Sequence, residues 1–176
     1  MCAIYRSLQP RGLESLCYIP IMSKRNIIVT LECFIKKGNK YLMLHRAKHK
    51  KIMPDVWMAP GGHLDFNDGL FECARREIKE ETGLTEFESI RPYSITQHPY
   101  PPTDSEWVNV YFNVTVKKQF KISPSEDGSF DWIDPKDISS LSMVADLKEY
   151  VGILAENQNA FILGFNSLEY RCIFVF

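Results

Sequence analysis

The pattern of apolar positions along the chain predicts strands and helices that follow one another. The segment 26–35 is apolar and β-branched, as in a buried strand, and the turn at 37–40 returns the chain into a second strand at 41–46. In the segment 107–117, apolar residues occupy every second position, and polar and aromatic residues occupy the others. The apolar face of this strand predicts core, and its mixed face suits a pocket wall or solvent.

Two stretches predict helices. The first spans 69–82 and should end at Gly83, because glycine readily takes the left-handed conformation that closes a helix. The second spans 142–157. Further strands are expected at 89–98, 130–133, 161–165 and 169–176. This mixture of elements predicts an α/β domain.

The first 24 residues differ from the rest of the chain. They show no clean period and no long apolar stretch of the kind that a signal peptide contains. We therefore expect an N-terminal extension at 1–24, not necessarily ordered or retained in the mature protein, and one folded domain at 25–176. No apolar run approaches 18 residues, so no membrane partner is expected.

Charge and cysteine content narrow the function classes. The chain has 21 basic and 22 acidic residues, for a net charge of −1, which argues against a duplex nucleic acid partner. It has five cysteines, an odd number, with no CxxC pair. Buried thiols in a reducing compartment are the simplest interpretation, so a cytoplasmic location is expected.

The first predicted helix carries a cluster of carboxylates. Glu77, Glu80 and Glu81 are spaced i, i+3 and i+4, which places them on one side of a helix. Three such groups repel one another unless cations neutralise them, and Mg²⁺ prefers carboxylate oxygens. The cluster therefore predicts a site for a hard metal ion. The alternative is an ordinary solvated acidic face.

The angular positions of these glutamates favour a cleft over a solvated face. At about 100° per residue, Glu81 falls inside the apolar stripe of the helix and Glu77 falls on its edge. The stripe consists of Leu70, Phe71, Ala74 and Ile78. Carboxylates that merge with a buried stripe need partners, which a cleft with bound cations would supply.

The segment from Gly62 to Leu84 resembles the signature of a known family. Gly62 is followed by five residues, Asp68, seven residues and then Arg76-Glu77-Ile78-Lys79-Glu80-Glu81-Thr82-Gly83-Leu84. This spacing is similar to the Nudix box, in which a glutamate normally stands at the position of Asp68. The resemblance implies an α/β/α sandwich with a mixed β-sheet, in which the box forms a catalytic loop–helix–loop motif.

The resemblance also implies a reaction. Nudix enzymes use Mg²⁺, with Mn²⁺ as an alternative, to hydrolyse a diphosphate bond in a nucleoside diphosphate linked to another group. Glu77, Glu80 and Glu81 would hold the metal together with the backbone carbonyl of Gly61, and Arg76 would orient the glutamates. A plain surface arginine is an equal interpretation of Arg76.

The proton acceptor for the attacking water is a separate question. Glu77 is the first candidate, and Glu126 or Asp127 in a later loop is the alternative. Asp68 is one methylene shorter than the usual glutamate, which predicts altered metal binding rather than inactivity. Asn67 replaces a frequent glycine and can take a left-handed conformation, and Asp68 or Gly69 can cap the helix.

Substrate contacts follow from the same resemblance. Arg46 ends a strand that leads toward the glycine pair, where MutT-like enzymes contact a substrate phosphate. His63 is a second phosphate candidate, although a surface histidine is the simpler interpretation. Asp146 resembles an acid that reads the base edge. Met143 and Met58 stand where relatives place an aromatic and a polar residue, and both are more simply core residues.

These observations predict a nucleotide-pool enzyme, monomeric or homodimeric, that binds a small nucleotide. It would convert a nucleoside triphosphate, such as the oxidised purine 8-oxo-dGTP, to the monophosphate and pyrophosphate. Two alternatives are kept. One is a Nudix hydrolase of a dinucleotide, a nucleotide sugar or capped RNA. The other is a Nudix module that binds nucleotides without catalysis.

Overall fold

The computed structural model describes residues 26–100, 103–116, 120–122, 125–143, 145–156, 160–165 and 170–175. The strands are β1 (Asn26–Lys37), β2 (Lys40–Arg46), β3 (Trp57–Met58), β4 (Gly61–His63), β5 (Ser89–Tyr100), β6 (Ser105–Thr115), β7 (Gly128–Ile133), β8 (Ala160–Phe165) and β9 (Tyr170–Val175). The described helices are α1 (Leu70–Thr82) and α2 (Ala145–Glu156), and a 3-10 helix spans Pro135–Ser140. Neither described helix has the length and apolar content that a membrane crossing requires. The expected extension at 1–24 lies outside the described residues.

Within the described ranges, the strands form one mixed sheet of nine strands. Its order is β3-β2-β1-β6-β5-β8-β9, with β4 added beside β1 and β7 beside β2. The pairs β1–β6 and β5–β8 are parallel, and the other pairs are antiparallel. On one side β1 pairs with β6 over most of its length. On the other side it pairs with β4 near Leu31 and with β2 only beyond Ile35. On this side of β1 the sheet therefore splits, with β4 beside one part of β1 and β2 beside its end.

The sheet has a core on each side, which confirms the predicted α/β class. Alternate residues of β1 and β6 pack with α1 in a cluster of Leu31, Cys33, Ile35, Leu42, Cys73, Ala74, Ile78, Leu84, Val110, Phe112, Val114 and Val116. The opposite side packs with α2 in a cluster of Phe34, Tyr41, Met43, Ala59, Tyr93, Tyr111, Ile138, Leu147, Tyr150 and Val151. Period-2 alternation thus divides the strand residues between two layers.

Several sequence predictions agree with these elements. The hairpin forms as expected, and α1 ends at Gly83, whose φ of 76° is left-handed. The predicted second helix begins three residues late, at Ala145. Before it, the Trp57 N–H donates to the Ser142 carbonyl at 2.8 Å, which ties this stretch to β3 instead. The strand predicted at 107–117 occupies Ser105–Thr115.

Other predictions were wrong in detail. No strand was predicted between 47 and 69, but Trp57–Met58 and Gly61–His63 form β3 and β4 of the sheet. Leu70 and Phe71, which were assigned to the buried stripe of α1, are 39% and 42% exposed. Burial of α1 begins at Cys73, so its first turn extends past the part of the sheet that covers it.

Candidate functional site

A cleft of about 700 Å³ lies where the sheet divides beside β1. Its walls come from β1, β4, α1 and β6, from the end of β5 and from the loop that follows β2. Its volume falls within the range of small-molecule sites, roughly 300–1,000 Å³. Several sequence-predicted site residues line it: Arg46, Gly61, Gly62, His63, Arg76, Glu77, Glu81 and Asp127.

The two glycines of β4 bring the backbone and α1 into close contact. A Cβ at Gly61 would overlap the carbonyl oxygen of Leu31, and a Cβ at Gly62 would overlap the carboxylate of Glu77. The Gly61 N–H donates to Glu81 Oε2 at 2.9 Å. The glycine pair is therefore required because any side chain would separate β4 from β1 or displace Glu77.

The predicted carboxylate trio is divided in the structure. Glu77 and Glu81 line the cleft, and the Glu77 side chain is 12% exposed. The Glu80 side chain is 59% exposed, and Glu80 is not among the described residues that line the cleft. Burial raises the pKa of Glu81 to about 8 despite the Gly61 hydrogen bond, and burial also raises the pKa of Glu77 against the effect of Arg76. Removal from water is thus the main electrostatic influence on this pair.

Arg76 organises the acidic groups around the helix. It contacts the carboxylates of Asp65 at 3.1 Å, Asp68 at 3.1 Å, Glu77 at 2.8 Å and Glu80 at 3.4 Å, and it donates to the backbone carbonyl of His63 at 3.2 Å. These contacts place the guanidinium where it can orient the glutamates. Arg76 is therefore not an isolated surface residue.

Asp68 reaches the arginine despite its shorter side chain. Its Oδ2 accepts a hydrogen bond from Arg76 Nε at 3.1 Å. Asn67, before it, has a φ of 71°, the left-handed conformation that was expected. Gly69 is the N-cap of α1, without a side-chain capping bond. In this structure, Asp68 pairs with the arginine.

The side chains of the cleft include oxygen donors that a divalent cation could use. Within the described part of the chain, no three His, Cys, Asp or Glu side chains are already gathered as a metal site. Glu77 and Glu81 nevertheless supply the oxygen donors that a hard cation prefers. The missing side chain at Gly62 leaves the space that the Glu77 carboxylate occupies. These features fit a cation at the junction of α1 and β4.

The last residue of β2 contributes one positively charged side chain to the cleft wall. Arg46 lines the cleft, and its Nε donates to the Ile52 carbonyl at 3.0 Å. Its Nη1 lies 3.9 Å from Asp127 Oδ1, and Lys50 forms an ion pair with the same carboxylate. Asp127 also lines the cleft, whereas Glu126 is not among the described lining residues. Of the two loop acids that were considered as proton acceptors, Asp127 is the one at the site.

An aromatic rim stands at the end of the cleft formed by β5 and β6. The Trp107 ring lies 5.8 Å from His63 and 5.5 Å from Tyr100, and its Nε1 donates to Ser105 Oγ at 3.1 Å. These contacts fix the orientation of the indole. His63 is therefore an exposed rim residue beside an aromatic ring as well as a phosphate candidate.

The candidate base-reading residues have different outcomes. Asp146 belongs to α2, but its side chain lies outside what the structure describes. Met58 lines the cleft and packs against the α2-side core. Met143 packs against the same core and is not among the described residues that line the cleft. This placement agrees with its interpretation as a core residue.

Sequence reasoning missed a polar group on the floor of the cleft. Thr30 and Glu32 of β1 and Asn109 and Tyr111 of β6 all line it. The segment 26–35 was interpreted as uniformly apolar. The sequence does contain a pattern that predicts this polar group. Thr30 and Glu32 alternate with apolar residues, so their side chains share one face of the strand.

Comparisons with solved structures identify the fold. The crystal structure of a MutT protein from Bacillus halodurans matches with a TM-score of 0.66 and 19% identity, over 83% of this chain and 97% of that one. The NUDIX domain of Shewanella oneidensis NrtR, complexed with ADP ribose, matches with a TM-score of 0.63 and 18% identity, over 80% and 93%. The fold is thus the MutT-like α/β fold.

Sequence comparison identifies the family. Residues 27–151 match the family model described as the NUDIX domain, and the chain belongs to this family. An m7GpppN-mRNA hydrolase, NUDT17, of Xenopus laevis is 36% identical over 80 residues, which cover 45% of this chain and 26% of that protein. The uncharacterized Nudix hydrolase YvcI of Bacillus subtilis is 26% identical over 115 residues, covering 63% and 68%. The chain spans between 20% and 46% of the length of the NUDT17 proteins of Xenopus laevis, Homo sapiens and Danio rerio.

Proposed function

We propose that this chain is a Mg²⁺-dependent hydrolase that cleaves a phosphoanhydride bond in a nucleotide derivative. The observation that carries the proposal is the placement of Glu77 and Glu81 beside the glycine pair of β4 in the wall of a nucleotide-sized cleft. Family membership supports the same reaction class, since the named relatives are hydrolases.

Each residue has a proposed role. Glu77 and Glu81 would hold the cation together with the Gly61 carbonyl and Glu80. When bound, the cation would supply charge neutralisation and activation of water. Arg76 holds one oxygen of Glu77 in place, which fixes the direction of the other.

Two residues are available to accept the proton of the attacking water. Glu77 is the first candidate, because its side chain is only 12% exposed and is oriented by Arg76. Asp127 is the second, because it lies in the cleft beside Arg46. Arg46 lies in the cleft wall, where it can bind the leaving phosphate group and neutralise the negative charge that develops on it.

The first candidate substrate is a nucleoside triphosphate, including an oxidised purine such as 8-oxo-dGTP, with pyrophosphate as the product. The cleft volume suits a single nucleotide, and the role would be to clear damaged nucleotides from the cytoplasmic pool. The second candidate is a capped RNA end, a dinucleotide or a nucleotide sugar. Its specific support is the sequence likeness to relatives named as m7GpppN-mRNA hydrolases.

The test is a substrate panel with product analysis by chromatography, with Mg²⁺, with Mn²⁺ and with EDTA. Loss of a metal ligand should lower activity more than loss of a residue that only orients a ligand. Glu81→Gln should therefore lower kcat by more than about 100-fold. Glu80→Gln should also lower it. Glu72→Gln is the matched control, because Glu72 lies in the first turn of the same helix, away from the cleft.

The outcomes separate the candidates. Release of pyrophosphate from a triphosphate supports the first substrate class, and release of a nucleoside diphosphate from a capped end supports the second. Full activity of Glu81→Gln would contradict the metal assignment. Nucleotide binding without turnover with either cation would favour the non-catalytic alternative.

A further inference from the structure

Three charged side chains meet beside the cleft, where β2 ends and β7 begins. Asp127 lies directly before β7 and lines the cleft together with Arg46. Its carboxylate forms an ion pair with Lys50, and Arg46 Nη1 lies 3.9 Å from the same Oδ1 atom. Lys50 is not among the described residues that line the cleft. The three side chains are between 22% and 34% exposed, so solvent screens them less than it screens fully exposed charges.

The backbone holds these three groups together. The Ala47 N–H donates to the Asp127 carbonyl at 2.7 Å. Arg46 lies opposite Gly128 in the pairing of β2 with β7, which places Asp127 beside the end of β2. The Lys50 N–H donates to the Ala47 carbonyl at 3.1 Å, which closes a turn and leaves the Lys50 side chain within reach of Asp127. The ion pair between Lys50 and Asp127 therefore follows from the path of the chain.

Arg46 is oriented by one nitrogen and keeps the other two for a ligand. Its Nε donates to the Ile52 carbonyl at 3.0 Å, which fixes the plane of the guanidinium. The 3.9 Å between Nη1 and Asp127 exceeds hydrogen-bond length, so neither Nη atom has a hydrogen-bond partner in the part of the chain that the structure describes. A guanidinium binds phosphate through two parallel N–H groups. Arg46 can therefore bind a phosphate without losing its support from Ile52.

Asp127 competes with a phosphate for Arg46. A small movement of either side chain would bring the carboxylate within hydrogen-bond distance of the guanidinium, and its charge would repel a phosphate. Burial is the main reason that the pKa of Glu81 is raised, and Asp127 adds to the rise whereas Arg46 opposes it. Both charges therefore act on the acidic residues of the cleft. Lys50 neutralises Asp127 from outside the cleft.

We propose that Lys50 is a positioning residue, which occupies Asp127 and so keeps Arg46 available for a substrate phosphate. This inference rests on the nucleotide-hydrolysing function proposed above, and its ligand is a nucleotide with two or more linked phosphates. Without Lys50, Asp127 would pair with Arg46 and repel the phosphate. If Asp127 were neutral, Lys50 would no longer be needed. This dependence of one side chain on the other distinguishes a positioning role from direct phosphate binding by Lys50.

A double-mutant cycle measured by ligand binding tests this inference. Binding is measured rather than turnover, because Asp127 is also a candidate proton acceptor. The ligands are analogues of ADP and GDP whose bridging oxygen is replaced by a methylene group, which prevents hydrolysis. Calorimetry at fixed excess Mg²⁺ and about 0.15 M salt compares the wild type, Lys50→Met, Asp127→Asn and the double variant. Lys51→Met is the matched control, because it removes the same charge from the next residue, which is exposed and outside the described cleft lining.

The four variants have different expected affinities. Lys50→Met should bind the tighter analogue about tenfold more weakly than the wild type does, which is the loss expected for one charged hydrogen bond. Asp127→Asn should bind it at least as tightly as the wild type, because Arg46 stays held by Ile52. The double variant should recover to within about threefold of the wild type, and Lys51→Met should stay within about twofold.

Three results would overturn the inference. A double variant as weak as Lys50→Met would make Lys50 a direct phosphate ligand or a support for the loop. An unchanged affinity of Lys50→Met would show that Asp127 does not compete for Arg46. Absence of binding of either analogue by the wild type would leave Arg46 no phosphate to hold. If the predicted pattern is found but no phosphoanhydride is hydrolysed, the proposed function fails and the inference stands. Hydrolysis without the pattern has the reverse meaning.

Discussion

The two sides of the central sheet are built from alternate residues of the same strands, yet they differ in chemistry. The buried residues of the α1 side are mostly aliphatic, with Phe112 as their one ring, and include two thiols, Cys33 and Cys73. Burial raises the pKa of Cys33, and it raises the pKa of Cys73 to about 11, so both stay protonated. The α2 side is filled by rings, with Phe34 5.8 Å from Tyr111 and 6.1 Å from Tyr93.

The difference shows how one sheet separates stability from recognition. Contacts between aliphatic side chains do not depend on direction as hydrogen bonds do. The α1 side therefore stabilises the fold without contributing to ligand recognition. Buried hydroxyls need partners, as when Tyr93 donates to the Tyr150 carbonyl at 2.9 Å. Glu77 and Glu81 belong to α1 but reach the cleft at the edge of β4, where the two sides meet.

The largest expected effect is on the α1 side. Ile78→Ala removes a fully buried side chain from α1 and should lower the free energy of unfolding by about 2–5 kcal/mol. Urea denaturation of the metal-free protein measures this. Nucleotide affinity of the folded protein should stay the same. A cost below about 1 kcal/mol would show that the α1 side is loosely packed.

The second effect separates the two glycines of β4. Gly62→Ala should displace the Glu77 carboxylate and lower Mg²⁺ affinity by about 10–100-fold while the fold persists, because a side chain can move. Gly61→Ala should instead destabilise the protein, because its Cβ meets the Leu31 backbone. Thermal melts and Mg²⁺ titrations distinguish them. Equal behaviour of the two variants would contradict this division.

The third effect tests the polar floor on the α2 side. Thr30→Val keeps the shape of the side chain but leaves the buried Asn109 Oδ1 without its donor. The free energy of unfolding should fall by about 1–3 kcal/mol. Thr85→Val is the control, because Thr85 is exposed. An unchanged unfolding midpoint would mean that the hydrogen bond carries no net stabilisation.

The smallest effect concerns the exposed first turn of α1. Phe71 contacts the Phe112 ring at 5.2 Å, so Phe71→Leu should cost about 0.5–1.5 kcal/mol. Phe66→Leu should be neutral, since Phe66 is 94% exposed. Chemical denaturation resolves both. A larger cost at Phe66 than at Phe71 would contradict the description of this turn.

Local patterns predicted the parts of the fold that depend on local forces. The extent of α1 and its end at Gly83 followed from periodicity and from one residue suited to left-handed backbone. The placement of Glu77 and Glu81 in the cleft agrees with helical angles, because both lie beside the buried residues Ala74 and Ile78.

Features that depend on distant contacts were not predictable in the same way. The exposure of Leu70 depends on how far the sheet extends beneath α1, which helix angles do not contain. The pairing of Asp68 with Arg76 depends on the path of the loop between them and β4. Glu32 was missed because a mainly apolar segment was taken as a whole, although alternation alone places it on the face opposite to Leu31 and Cys33.

The parallel pairing of β1 with β6 has a consequence for when the cleft forms during folding. Thr30 and Asn109 are 79 residues apart in the chain, and β4 and α1 lie between them. Closing so large a loop costs chain entropy before any contact is gained, and such non-local pairing slows folding. The cleft should therefore form late during folding, after α1 has formed, and a nascent chain that still lacks β6 should contain the acidic helix without a complete cleft.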